Sequence, residues 1–103
     1  MSNNKLFVHG FRPSISIEDR KAMIINLFSQ YGNIKIDPRT GEEAINFVKD
    51  KEQGEGVYKN FCFVEMEDQE SAESIVQNCD GEEFSEFGKV IKISVSIAQD
   101  RVK

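Results

Sequence analysis

Residues 59–66 read KNFCFVEM; in an extended chain Phe61, Phe63 and Glu65 share one side while Asn60, Cys62, Val64 and Met66 share the other. The uncharged set is the natural core face. Two phenylalanines then stand on a second apolar surface, which must be covered or put to use. A similar split in LFVHGF, residues 6–11, sends Leu6 and Val8 inward and Phe7 and His9 outward. Three outward rings with Lys59 at their edge suit flat, delocalised, negatively charged partners, and nucleic-acid bases stacked on a platform meet that description. Near the end of the chain, KVIKISVSI at 89–97 alternates with Ile91, Ile93, Val95 and Ile97 on one side and Lys92, Ser94 and Ser96 on the other. Its polar side adds a cation and two hydroxyls that could hydrogen-bond a nucleic acid or simply face water.

Little else in the chain could do chemistry. No nucleophile and base stand together at a recognisable spacing. Cys62, Cys79 and the single His9 cannot supply four zinc ligands, and neither a CxxC pair nor a disulfide framework is present, so no metal or cofactor is expected and both thiols are read as reduced and buried. No stretch approaches the roughly 18 apolar residues of a membrane span, and MSNNKLFV lacks the features of a secretory leader. A nuclear or cytoplasmic, monomeric protein is the expectation. The net charge of −5 argues at first against a polyanionic partner, but the charge is uneven: nine acidic residues and no basic one lie between Glu65 and Glu86. That segment is either a solvated face or an attractor for a basic protein segment.

The elements that must position these residues follow from periodicity and punctuation. KLFVH at 5–9 is a short strand ended by Gly10, with Pro13 excluding an earlier helix start. Ser16 and Asp19 form a cap signature before Ile24, Leu27, Phe28 and Tyr31 at helical spacing, and Gly32 stops the run. DPRTG is turn chemistry, AINFVKD is a second strand, and EQGEG leads into the strand at 59–66. Asp68 caps a second helix with Ala72, Ile75, Val76 and Cys79 inward, stopped at Asp80-Gly81, and 89–97 is the last strand. Strand, helix, strand, strand, helix, strand is the split βαβ order of an α+β, ferredoxin-like domain. Right-handed crossovers put both helices on one face of a four-stranded antiparallel sheet and leave the other face open. The domain is assigned to residues 5–98, with 99–103 as a short tail.

The chain resembles the RNA recognition motif family. The family's octamer, K/R-G-F/Y-G/A-F-V-x-F/Y, is similar to K-N-F-C-F-V-E-M at 59–66, and its hexamer is similar to L-F-V-H-G-F at 6–11. The resemblance implies single-stranded RNA as the partner and carries RNA-contacting roles onto Phe7, Lys59, Phe61 and Phe63. His9, Lys92 and Ser94 join them as candidates by their outward parity. Asn60, Cys62 and Met66 depart from the octamer, and the extra length around DPRTGEEA is either a contact loop or a tolerated surface insertion.

Two other readings use the same topology. A protein-binding variant would use the acidic second helix and the loop before the last strand to take a basic peptide; such variants carry Arg-x-Phe there, where this chain has Ser85-Glu86-Phe87. An acylphosphatase-like enzyme would need Arg12 in a phosphate loop with an asparagine from the second strand, for which Asn46 is the candidate. Intact aromatic positions favour RNA binding over both, and no enzymatic activity is expected.

Overall fold

The computed structural model describes residues 4–12, 15–50, 52, 57–86 and 88–98. The elements are β1 (Lys5–His9), α1 (Ile17–Phe28), β2 (Ile45–Lys49), β3 (Tyr58–Glu65), α2 (Gln69–Cys79), β4 (Glu83–Glu86), β5 (Lys89–Lys92) and β6 (Ser94–Ile97). Four strands form an antiparallel sheet in the order β2-β3-β1-β6, which makes β1 and β3 the central pair. This is the α+β, ferredoxin-like arrangement, with two helices packed on one face. The tail at 99–103, Pro13, Phe87 and most of the loop before β3 lie outside the described residues.

Local chemistry sets the helix ends. The Ser16 hydroxyl accepts from the Asp19 N–H, and the Asp68 carboxylate accepts from the Ser71 N–H, so each helix has a donor of its first turn satisfied. Hydrogen bonds from Ser71, its backbone N–H first and then its side chain, also hold the Asp68 carboxyl below its ordinary range. Between the helices and the sheet, Leu6, Val8, Cys62, Val64 and Val95 meet Ile24, Phe28, Ala72, Ile75 and Cys79, all of them buried. Gly32 is where the chain after α1 crosses α2: a Cβ there would collide with the side chain of Ser71. Only a glycine allows that approach.

The stretch 89–97 is not one strand. Lys89–Lys92 pairs with Glu83–Glu86 in a separate two-stranded sheet, and only Ser94–Ile97 joins the main sheet beside β1. The break has a backbone cause. At Ile93 the N–H donates to the Glu82 carbonyl and the carbonyl accepts from Gly81, while the Asp80 carboxylate accepts from the Val95 N–H. The turn that follows α2 thus occupies Ile93, and the strand changes partner there. The Gly88 φ of 74° lets a tight turn join β4 to β5, as hairpin turns require.

The segment between α1 and β2 extends the sheet. Ile34 bridges to Met66 and Ile36 to Glu43, with Asp37 N–H donating to the Glu42 carbonyl at 2.8 Å. Residues 34–44 therefore form a small finger whose tip, DPRTG, turns through Gly41 at φ 73°. Lys35 N–H donates to the Glu65 carbonyl and Glu65 N–H to the Ala44 carbonyl, so the finger is tied to the end of β3.

Candidate nucleic-acid interface

Antiparallel pairing places opposed residues on one side of the sheet. Phe7 lies opposite Phe63 on β3 and Ser96 on β6; His9 lies opposite Phe61 and Ser94; Asn46 on β2 lies opposite Phe63; and Lys5 lies opposite Glu65. The three phenylalanines and their polar neighbours thus share the face away from the helices, because Leu6, Val8, Cys62 and Val64 are turned to the core. Phe7 is the centre of the group. Its ring centroid is 5.3 Å from Phe61, 5.5 Å from Phe63 and 5.3 Å from the His9 imidazole. Phe61 and Phe63 meet edge-on at 6.1 Å and 82°. Such tilted contacts are favoured by the ring quadrupole, so the platform supports itself.

Two ammonium groups flank the rings. Lys5 Nζ stands 5.4 Å from the Phe63 centroid and Lys59 Nζ 6.0 Å from that of Phe61. Neither forms an ion pair among the described residues. The rings are half-buried, covered by one another and by these lysine stems rather than by a further layer. Of the residues expected on this face, Phe7, His9, Phe61, Phe63, Ser94 and Ser96 are brought together with Lys59 at the margin. Lys92 is not: it is exposed on the β4–β5 hairpin opposite Glu83, because the strand leaves the main sheet at Ile93. Asn60, expected on the core side by parity, is exposed. Its carbonyl accepts from the Gly10 and Phe11 N–H groups, so it sits past the edge of the core, where the chain leaves β1.

Arg20 is a residue that outward parity could not point to. It is 3% exposed, and its guanidinium donates to three backbone carbonyls: Ile15 at 2.9 Å, Arg12 at 3.1 Å and Lys59 at 3.2 Å. Burial lowers its pKa, and it lies 5.8 Å over the Phe11 ring. It therefore clamps the β1–α1 connection to the start of β3 and fixes the backbone from which Lys59 projects. The signal available in the sequence was position alone: Arg20 precedes Met23, Ile24, Leu27 and Phe28 at core-facing spacing, while its charge reads as solvated. The same guanidinium is close to Cys62, yet burial dominates and pushes that thiol up to about 12. Cys79 is pushed up to about 11, also by burial first. Both are free and buried, as expected.

The residues of an acyl-phosphate site do not come together. Arg12 Nε donates to the Val90 carbonyl on β5, beside the β6 end of the sheet, whereas Asn46 is on β2 at the opposite edge. Among the described residues there is no cluster of His, Cys, Asp and Glu that could hold a metal, and no helix is long and apolar enough to cross a membrane.

A four-stranded sheet with two helices behind it and aromatic residues on its open face defines a class of small binding domains. The family model for the RNA recognition motif matches residues 6–86, and the chain belongs to that family. Solved structures share the fold. One described as the structure of the RNA15 RRM superposes with a TM-score of 0.67 at 17% identity, covering 97% of this chain and 94% of the other. The Rna15 RRM with bound RNA (GU) gives 0.62 at 18% identity, covering 97% and 86%. A Sxl-lethal protein/RNA complex gives 0.64 at 20% identity over 93% of this chain and 48% of that one.

Proposed function

We propose that this domain binds single-stranded RNA on the open face of its sheet, with bases stacked on Phe7, Phe61 and Phe63. The observation that carries the reading is the contact of these three rings on the face that no helix covers. Membership of the RNA recognition motif family and the RNA-bound members among its structural neighbours support the same partner. Lys59, at one end of the ring cluster, contacts a phosphate, and Lys5, at the other end, supplies a second cation beside Phe63. His9, Ser94, Ser96 and Asn46 surround the rings with groups able to hydrogen-bond base edges or 2′-hydroxyls. A duplex would hide its base faces from the platform, so single strands are selected.

The test is a titration of fluorescent single-stranded RNA of random sequence, with the same RNA annealed to its complement as competitor. Single strands should bind and duplex should compete poorly. Equal competition by duplex, or no binding of single strands in dilute salt, would overturn the proposal.

A further inference from the structure

The finger at 34–44 and the β2 side of the open face enclose a cavity of about 480 Å³, lined among others by Phe63, Lys5, Glu65, Asn46 and Arg39. That volume is within the range of about 300–1,000 Å³ typical of small-ligand sites. One wall is the Phe63 ring of the platform, so the cavity is continuous with the face proposed to carry RNA. Its polar groups are held in place. Glu65 and Lys5 oppose one another in register across β3 and β1, and Asn46 opposes Phe63. Glu65 Oε2 accepts from Lys35 Nζ at 3.1 Å, which orients the carboxylate and leaves Oε1 and the second lone pair of Oε2 for other donors. Lys5 makes no ion pair among the described residues, although Glu65 is its strand neighbour. A cation and an anchored carboxylate therefore stand side by side at the rim of an aromatic floor.

We propose that this cavity is a guanine-selective subsite, in which one base of a bound strand stacks on Phe63 and presents its Watson–Crick edge to Lys5 and Glu65. This rests on the RNA-binding reading above. Guanine is the base whose edge runs acceptor, donor, donor: O6 faces the ammonium, and N1–H and the N2 amino group face the carboxylate, with Asn46 able to accept from the amino group's second hydrogen. Uracil would set its O2 against Glu65. Adenine and cytosine each offer one amino donor beside an acceptor nitrogen that the carboxylate repels. Arg39, on the finger, also lines the cavity, its largely exposed guanidinium 3.4 Å from the Asp37 carboxylate. The finger thus gives the extra length between α1 and β2 a role: it converts an open sheet edge into a pocket.

The experiment uses oligouridine of about eight residues, a length within the usual span of single-strand sites, and variants with one guanosine moved through each position. At one position guanosine should tighten binding about tenfold or more over oligouridine, the scale of a paired two-donor contact. Inosine at that position, which lacks the N2 amino group, should lose most of the gain, and the Glu65→Ala variant should show nearly equal affinities for the two oligonucleotides. Guanosine giving no gain at any position, or a gain that survives both inosine and Glu65→Ala, overturns the subsite while oligouridine binding leaves the stacking platform standing. Failure of the wild-type chain to bind any of the set refutes the platform and the subsite together.

Discussion

Replacing Phe61 and Phe63 together by leucine separates stacking from packing. Leucine keeps an apolar side chain beside Phe7 but has no π face for a base. Each base–aromatic stack contributes about 1 to 3 kcal/mol; with leucine retaining part of the contact, the lower end applies and the pair should cost about 2 kcal/mol in binding, or roughly 30-fold in Kd. Stability should also fall. Phe61 and Phe63 take part in three ring–ring contacts, Phe7–Phe61, Phe7–Phe63 and Phe61–Phe63. Aromatic pairs contribute about 0.5 to 1.5 kcal/mol beyond burial, and half-buried rings sit at the low end, so a loss of about 1.5 kcal/mol and about 6 to 12 °C in Tm is expected. The assay is fluorescence anisotropy with single-stranded RNA at a temperature well below both melting points, with circular dichroism on the same samples. A Kd within about twofold of wild type combined with a Tm drop beyond about 15 °C would refute the reasoning, because the rings would then be core residues with no role in stacking.

Arg20→Met should lower stability by about 2 kcal/mol or more, since it removes the guanidinium donor from the Ile15 and Lys59 carbonyls, while the Arg12 carbonyl keeps the Ile15 N–H; a Tm change of less than about 4 °C would show that water replaces it freely. The salt dependence of RNA binding should be shallow: with Lys5, Lys59 and Arg39 as the cations within reach, log affinity against log salt should have a slope of about −1.4 to −2.1, and a slope steeper than about −5 would require another surface. Cys62 and Cys79, buried and with raised pKa values, should resist a disulfide reagent at about pH 8 in the folded state and react promptly in denaturant; rapid labelling of the native protein would contradict their burial. The depressed pKa of Asp68 means that its folded-state contribution is present above the unfolded value and is lost as pH falls through the folded one, so Asp68→Asn should flatten the acid limb of the stability profile.

Much of this fold was legible in two-residue and helical periods, because Leu6, Val8, Cys62 and Val64 alternate with outward residues and both helices carry capped apolar stripes. The platform was legible for the same reason: Phe7, Phe61 and Phe63 share a parity, and the split βαβ order makes their strands neighbours. What stayed hidden depends on contacts that periodicity does not encode. Ile91, Ile93 and Val95 remain in phase and buried through the change of partner at Ile93, so alternation reads across the break. The available signal was the hairpin chemistry around Gly88, with Glu83 and Lys92 at opposed positions. The finger's turn was visible in DPRTG, but its attachment runs through Lys35 and Glu65, which are far apart in sequence and matched by no pattern. Arg20 was hidden by its type, since a charged residue on a core-facing stripe reads as solvated until three carbonyls are seen to converge on it.

The rings of the platform are not coplanar: Phe7 is tilted by 41° to Phe61 and 53° to Phe63, and those two stand at 82° to each other. Bases lying flat on neighbouring rings must therefore be turned away from one another. A strand cannot keep its own helical stack while it occupies this surface, and each nucleotide that lands must first separate from the next. Oligoadenylate, whose bases stack strongly on one another in solution, should then bind more weakly than oligouridine, whose bases hardly do, even though adenine has the larger face to offer a phenylalanine. Competition between the strand's order and the order of the rings would make this domain a reader of flexibility as well as of base identity.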